Sequence, residues 1–191
     1  MGKICKSWDV FSSKTILIAA VLALFASVGT ASAETTLEKI KRTGKTTVGT
    51  EAAFPPFEFI KDGKIVGYGK DILDYIIADL GVELNQLDLP WQGILPGVLA
   101  GKFDFVATSV SIRPERVVKY AYTVPIAEGT VWTMKRAGDD SINSIDDLAG
   151  KVVGTQLASG GEANSKEFEA KLKERGLGGY KALKLYTAYP E

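Results

Sequence analysis

The sequence predicts an α/β protein of two lobes, the second of them incomplete. Strand-like and helix-like segments alternate along the chain, the pattern changes character near residue 125, and only about 65 residues follow that point. Such alternation is typical of a mainly parallel sheet covered by helices, and about 65 residues is near the lower limit for an independent core. We therefore expect lobe I at 34–125 and an unfinished lobe II at 126–191.

The first 33 residues have the pattern of an export signal. Lys3, Lys6 and Lys14 give a basic start, and the apolar stretch TILIAAVLALFASV is short for a membrane span. The small residues at 31–33, ASA, form a cleavage motif. We expect cleavage after Ala33 and a periplasmic mature protein, with an uncleaved membrane anchor as the alternative.

The elements of lobe I follow from hydrophobic spacing and turn residues. Apolar residues at 72, 73, 76, 77 and 80 predict a helix over KDILDYIIADLG that ends at Gly81, and Asp62-Gly63 predicts a hairpin within FEFIKDGKIVGY. The other predicted elements are the helices TLEKIKRTG and QGILPGVLAG and the strands KTTVGT, VELNQLDL and FDFVATSV.

Lobe II is predicted in the same way from Pro125 onward. We expect a strand at GTVWTMKR, a short helix at SIDDLAG and a strand at KVVGTQ. The Gly-rich loop LASGG then opens a helix at EANSKEFEAKLKERG, and YKALKLY is a further strand.

Composition excludes several classes of function. The chain has 23 basic and 23 acidic residues; the first 33 residues hold three Lys and one Asp, so 20 basic and 22 acidic residues remain, a net charge of −2. That charge favours neither nucleic acid nor an anionic membrane as a partner. The chain has no His, and its one cysteine, Cys5, lies in the signal. We therefore predict no His-based catalytic triad, no metal and no cofactor.

One candidate site follows the predicted strand FDFVATSV. Ser109 and Ser111 lie at its carboxyl end, where ligands bind in open α/β sheets. Pro114 suits the first turn of a short helix, from which Arg116 would project back toward the strand end. A guanidinium matches a carboxylate in two parallel hydrogen bonds. The alternative is an ordinary solvated helix face capped by the serines.

Aromatic residues form a second cluster. The strand KTTVGT is followed by Glu51 and then by Phe54 and Phe57 around two prolines, and Trp91 follows Pro90. Aromatic side chains at strand ends can wall a pocket for a small ligand or stack on a cationic group. Each of them can equally be a core residue.

These residues belong to motifs that resemble the periplasmic solute-binding proteins of amino-acid ABC transporters, the bacterial extracellular solute-binding protein family 3. That family includes lysine/arginine/ornithine-, histidine- and glutamine-binding proteins. The matching motifs are VGTEAAFPPFEF, DGKIVGYGKDI, WQGILPGVLAGKFDFVATSVSIRPER, YTVPI and DLAGKVVGTQLASGG, in family order and spacing. The resemblance implies the two-lobed periplasmic-binding-protein fold of type II.

The resemblance also implies roles for single residues. Arg116 matches the arginine that grips the ligand α-carboxylate, and Ser109 and Ser111 match residues that contact the carboxylate or the α-amino group through backbone or hydroxyl. Phe54 and Trp91 match the aromatic pair that sandwiches the ligand side chain.

Two further positions carry less definite roles. Glu51 stands where the family usually has an aspartate, which in binders of basic amino acids helps meet the distal cationic group. Ser159 and Glu162 have the spacing of a capping box, so Ser159 is either a simple cap or a ligand contact from lobe II. The threonine that is usual in this loop is replaced by Gly160.

The resemblance implies a non-enzymatic function. We expect an exported, monomeric receptor that clamps a free amino acid, polar or cationic, by hinge closure and delivers it to a membrane permease. The family's F-S-x-P-Y segment reads YTVPI here, and family members continue beyond residue 191, so we expect a C-terminal truncation. The alternatives are a cyclohexadienyl (prephenate/arogenate) dehydratase-like enzyme, a ligand-sensing domain, or a fragment that does not function alone.

Overall fold

The structure, a computed structural model, describes residues 33–188. The predicted signal therefore lies outside the described residues except for Ala33, and so do the last three residues of the predicted lobe II. The chain divides into two compact units after Glu38. In the described part of the first, Thr35 Oγ1 donates to Glu38 Oε2 at 2.8 Å and accepts from the Glu38 N–H at 3.3 Å, which caps the first helix.

The helices and strands follow one another largely as the sequence predicts. In chain order they are α1 (Thr36–Thr43), β1 (Lys45–Thr50), β2 (Ala53–Phe54), β3 (Glu58–Lys61), β4 (Lys64–Val66), α2 (Tyr68–Leu80), β5 (Glu83–Asp88), α3 (Trp91–Leu99), β6 (Phe105–Val106), α4 (Pro114–Val117), a 3₁₀ helix (Ile145–Leu148), β7 (Val152–Gln156), α5 (Gly160–Glu174) and β8 (Ala182–Tyr186).

The first sheet is parallel and has the order β5-β1-β6. Its central strand is β1, in which Val48 is completely buried and pairs with Gln86 on one side and Phe105 on the other. Because the three strands are parallel, the residues after them, including Glu51, lie at one edge of the sheet. This edge is where the candidate site is built.

Close packing holds helix α3 against β1. The ring of Phe103 fills the space between Gly49 and Gly97, and a Cβ added to either glycine would lie 2.7 Å from a ring atom. Ile94 on the same helix is completely buried. A larger residue at either position would clash with Phe103, so both glycines are required. This close packing holds α3 against β1, with the start of the helix at the sheet edge.

The β2-β3-β4 hairpin sheet is antiparallel. Asp62 and Gly63, the predicted turn, both have positive φ, 52° and 73°, as a two-residue hairpin turn of this kind requires. Helix α2 ends at Gly81 with a left-handed φ of 65°, also as predicted.

The third sheet contains β7 and β8, which are parallel and joined by α5. Leu172 of α5 and Leu148 of the 3₁₀ helix are its buried apolar side chains, at 1% and 4% exposed. The predicted strand-loop-helix-strand order of this region is confirmed.

The strand predicted at GTVWTMKR, residues 129–136, is wrong. These residues form no regular secondary structure, and Trp132 and Met134 are 82% and 92% exposed. A strand is stable only when a neighbouring strand pairs with its backbone, and residues 129–136 pair with no strand of the described part of the chain. The strand FDFVATSV is likewise reduced to Phe105–Val106. No helix within residues 33–188 is long and apolar enough to cross a membrane.

Candidate functional site

Arg116 lies on the short helix α4, where Pro114 is the first residue, as predicted. Its side chain is buried, with the residue 9% exposed, and its Nη1 and Nη2 donate to the backbone carbonyls of Ser111 and Ala158, each at 3.2 Å. Within residues 33–188 it forms no ion pair. Among the described residues, the guanidinium is therefore a buried cation whose hydrogen-bond acceptors are all neutral.

Trp91 lies directly beside this guanidinium. The centre of its ring is 5.4 Å from the Arg116 Cζ, a cation–π distance. Its indole Nε1 donates to the carbonyl of Ala158 at 2.9 Å. The same carbonyl thus accepts from both Trp91 and Arg116, and Ala158 itself has the left-handed φ of 60° that is uncommon for alanine.

The loop before α5 presents this carbonyl. Ser159 caps α5: its Oγ accepts from the Glu162 N–H at 3.2 Å and donates to the Gln156 carbonyl at 2.7 Å. Glu162 Oε2 accepts from the Ala158 N–H at 2.6 Å, which completes a capping arrangement like that predicted. The hydrogen bond from Lys166, followed by that of Ala158, holds the pKa of Glu162 below its ordinary value.

Ser111 faces the beginning of α5. A Cβ added to Gly160 would lie 3.6 Å from Ser111 Oγ, an ordinary van der Waals contact. The hydroxyl of Ser111, the start of a 15-residue helix and the Arg116 guanidinium thus lie in one region. All three attract an anion.

Glu51 follows β1 and is buried, at 8% exposed. Its Oε1 accepts from Nε2 of Gln156, at the end of β7, at 2.5 Å. Burial raises the pKa of Glu51, while the Gln156 hydrogen bond and the Trp91 backbone N–H act in the opposite direction. Glu51 therefore lies near the backbone of Trp91, and its side-chain hydrogen-bond partner is an amide group rather than a cation.

A cavity of about 310 Å³ opens next to Glu51. Its walls carry a second carboxylate, that of Asp88. Because like charges repel, Asp88 adds to the effect of burial in raising the pKa of Glu51. The lining residues are Glu51, Ala53, Asp88, Leu89, Pro90, Thr187 and Ala188.

Ser109 and Phe54 lie in a different environment from the residues around Ala158. The N–H and Oγ of Ser109 both donate to the carboxylate of Glu58, the second at 3.2 Å. Phe54, on β2, stacks on Phe57 with ring centres 5.7 Å apart and is 37% exposed. Of the predicted site residues, the structure therefore brings together Arg116, Trp91, Ser111, Ser159 and Glu51.

Sequence reasoning did not select Gln156, Ala158 or Glu58. Gln156 ends a parallel strand, the position that drew attention to Glu51, so the same rule could have found it. Ala158 contributes only its backbone, which no side-chain pattern reveals. No group of three or more possible metal ligands occurs among residues 33–188.

Comparison with known proteins identifies similar sequences and structures. Residues 46–180 match the family described as bacterial extracellular solute-binding proteins, family 3. The L-cystine-binding protein TcyJ of Escherichia coli (strain K12) is 32% identical over 145 residues, which are 75% of this chain and 54% of TcyJ. The chain thus spans about half the length of this curated relative.

Two solved structures extend the likeness to the fold. An ancestral arginine-binding protein bound to glutamine has a TM-score of 0.65 and 34% identity, over 76% of this chain and 61% of that one. The ancestral amino acid-binding protein AncCDT-1, a precursor of cyclohexadienyl dehydratase, has a TM-score of 0.66 and 30% identity, over 81% and 66%. The predicted two-lobed periplasmic-binding-protein fold is confirmed, and this chain covers only part of it.

Proposed function

The chain belongs to the bacterial extracellular solute-binding proteins, family 3, and from this premise we propose that it is the amino-acid-binding receptor of an ABC importer. It binds a free amino acid outside the cytoplasm and delivers it to a membrane permease. The names of its relatives, which include cystine-, histidine- and arginine-binding proteins, support an amino acid as the ligand. In this proposal the protein is a monomer that performs no reaction.

One observation carries the proposal: the buried guanidinium of Arg116 has carbonyl partners but no anionic partner among residues 33–188. A buried charge is stabilised most by an opposite charge with good hydrogen-bond geometry. The α-carboxylate of an amino acid supplies that charge in the bidentate form that a guanidinium fits. Ser111 and the start of α5 lie close enough to satisfy its remaining lone pairs.

Hinge closure between lobe I (34–125) and lobe II (126–191) is the proposed mechanism. Gln156 and Ala158 from the second segment reach Glu51, Trp91 and Arg116 from the first. An incoming carboxylate competes with the Ala158 carbonyl for Arg116 and Trp91. A ligand held from both segments stabilises the closed arrangement by its differential affinity for that state.

The side chain of the ligand is proposed to be polar or cationic. Glu51 and Asp88 line the same cavity, and neither forms an ion pair within residues 33–188. A cationic or hydrogen-bond-donating group would reduce the repulsion between these acids. Phe54 and Trp91 are proposed as the aromatic walls around its hydrocarbon part, and Ser109 and Ser159 as polar contacts.

Export and signal cleavage are tested separately from ligand binding. We propose that the precursor is cleaved after Ala33 and that the mature protein is periplasmic. The mass of the protein recovered from a periplasmic extract should correspond to a chain that begins at Glu34. Recovery of the uncleaved chain from membranes would support the anchor instead.

A thermal-denaturation scan against each common L-amino acid tests the binding function. An amino acid at a hundred times its dissociation constant adds about 2.7 kcal/mol to the free energy of unfolding, which raises Tm by several degrees. We expect a selective shift that Arg116→Ala abolishes. A cooperative melt that no amino acid moves would contradict the proposal for this chain.

The dehydratase-like alternative has one observation in its favour: burial raises the pKa of Glu51, as a general acid requires. Incubation with prephenate or arogenate, followed by assay of the aromatic product, decides this point. Product formation that Glu51→Gln abolishes would replace the transport proposal with an enzymatic one. A ligand-sensing role would instead be indicated by a signalling protein, rather than a permease, that binds the liganded receptor.

A further inference from the structure

Glu58 is a buried acid that the sequence did not assign to the site. It lies on β3 and is 2% exposed. Its Oε1 accepts from Thr108 Oγ1 at 2.6 Å and from the Ser109 N–H, and its Oε2 accepts from Ser109 Oγ at 3.2 Å. All three donors are neutral and belong to the segment that follows β6.

The carboxylate of Glu58 also lies where three elements meet. In the hairpin, Glu58 is directly opposite Phe54 of β2. A Cβ added to Gly69, in the first turn of α2, would lie 2.6 Å from Glu58 Oε2, so the helix backbone packs on the carboxylate. The side chain of Glu58 thus extends from the β2-β3 hairpin and contacts both the start of α2 and residues 108–109.

These contacts determine what Ser109 can offer a ligand. Its N–H and its hydroxyl proton both go to Glu58, so what Ser109 can still offer a ligand are acceptors, its carbonyl and the lone pairs of its hydroxyl oxygen. Two residues further on, the carbonyl of Ser111 accepts from Arg116 Nη1. The conformation of residues 108–111 thus sets the position of one of the two carbonyls that accept from the guanidinium.

We propose that Glu58 is a positioning residue of the ligand site, which acts through Ser109 and Ser111 on Arg116. Its role is to accept three hydrogen bonds in fixed directions, for which an acceptor-only carboxylate is well suited. It does not touch the ligand. This inference rests on the proposed amino-acid-binding function, because its consequence is measured as ligand affinity.

A neutral isostere separates geometry from charge. In Glu58→Gln the amide oxygen can keep the two bonds of Oε1, and the NH₂ group can donate to the Ser109 hydroxyl, which rotates to accept. Glu58→Ala removes all three acceptor bonds. If positioning is the role, glutamine should restore what alanine loses.

Asp104 provides a matched control at the other end of β6. It is likewise a buried carboxylate, with its side chain 7% exposed, that accepts from the Thr47 N–H at 2.8 Å and from Thr46 Oγ1 at 3.3 Å. Unlike Glu58 it also forms an ion pair, with Lys39 Nζ at 2.7 Å. It lies before the strand, away from the carboxyl ends that carry the site. Asp104→Ala should therefore lower stability without moving Arg116.

The experiment compares the full chain with Glu58→Ala, Glu58→Gln and Asp104→Ala at a temperature at which circular dichroism shows each of them folded. Affinities for L-arginine, L-histidine, L-glutamine and L-cystine are measured by calorimetry. Amide exchange at Ser109 is measured by NMR without ligand. We expect Glu58→Ala to weaken the affinity for the preferred amino acid at least about tenfold and to speed amide exchange at Ser109. In Glu58→Gln and Asp104→Ala we expect the affinity and the exchange rate to stay near the parent values.

Several outcomes would overturn the inference. Parental affinity in Glu58→Ala, equal weakening in Asp104→Ala, or failure of Glu58→Gln to restore binding would each do so. If the parent binds none of the four amino acids, the proposed binding function fails for these ligands, and so does the role of Glu58 in binding them. The amide-exchange data then decide whether Glu58 holds Ser109 in place. If Glu58→Ala does not fold, Thr108→Val replaces it: faster Ser109 exchange with weaker binding supports the inference, and no change in either overturns it.

Discussion

Arg116→Ala should destabilise the protein even without a ligand, because the guanidinium already joins three parts of the structure. Its Nη1 and Nη2 bond to Ser111 and Ala158 at 3.2 Å, near the long end of the normal range. A hydrogen bond from a charged group contributes about 1.5–3 kcal/mol when well formed, and a cation–π contact about 0.5–2 kcal/mol. Because both hydrogen bonds are long and water can reach the freed carbonyls, we expect the free energy of unfolding to fall by only about 2 kcal/mol.

Urea denaturation of the parent and the variant measures this loss directly. A decrease of about 2 kcal/mol corresponds to a Tm lower by about 4–8 °C for a chain of this size. Arg113→Ala is the matched control, since Arg113 pairs with the exposed Glu115 at 2.6 Å and with Asn164 at 2.9 Å. The first contact is exposed and the second is partly buried, and we expect their loss to cost less than about 1 kcal/mol.

A loss below about 0.5 kcal/mol in Arg116→Ala, or an equal loss in the control, would contradict this prediction. Either result would mean that the guanidinium is solvated and not held between Trp91 and the Ala158 carbonyl. The proposed carboxylate site would then lack its preorganised cation.

Two further predictions concern the acid and the loop that meet at this site. Because burial raises the pKa of Glu51 above its ordinary value of 4.5, the folded protein binds more protons than the unfolded chain above that pH. The stabilising contribution of its protonated form is thus present below pH 4.5 and lost as the pH rises through the folded pKa. In urea titrations the parent should therefore lose stability relative to Glu51→Gln as the pH rises above 4.5, and parallel pH profiles would contradict the assignment. At the start of α5, Gly160→Ala should raise the free energy of unfolding by about 0.4–1 kcal/mol, because the new Cβ meets nothing closer than 3.6 Å. Gly161→Ala should lower it by about 1–3 kcal/mol, because that Cβ would lie 2.5 Å from Thr155 Oγ1, and equal effects of the two variants in the same assay would show that the loop is not packed as described.

Local signals account for the elements that the sequence predicted well. The Asp62-Gly63 turn and the end of α2 at Gly81 depend on backbone conformations that these residues favour, so they can be read from a few letters. The strand expected at 129–136 depends on a partner distant in sequence, and its residue types cannot report whether one pairs with it.

Several side chains that meet in the candidate site were predicted from the sequence, but the hydrogen bonds that connect them were not. The positions of Arg116 and Trp91 drew attention to them, and the resemblance to family 3 implied their roles. The carbonyl that both contact belongs to Ala158, which is 42 and 67 residues away in sequence, and a backbone group leaves no trace in residue type. Glu58 was passed over because its partners, Thr108 and Ser109, are about 50 residues downstream.

The central claim is that Arg116 binds the carboxylate of an amino acid, and a double-mutant cycle tests it most directly. The amino acid that gives the largest thermal shift and its α-carboxamide are each titrated by calorimetry into the parent and into Arg116→Lys. Close charge pairs couple by about 1.5 kcal/mol or more, and lysine keeps the charge but loses the planar fork. We predict that the carboxamide binds the parent at least about tenfold more weakly than the amino acid, and that this difference shrinks in the lysine variant. An equal difference in both proteins would contradict the claim and place the carboxylate elsewhere.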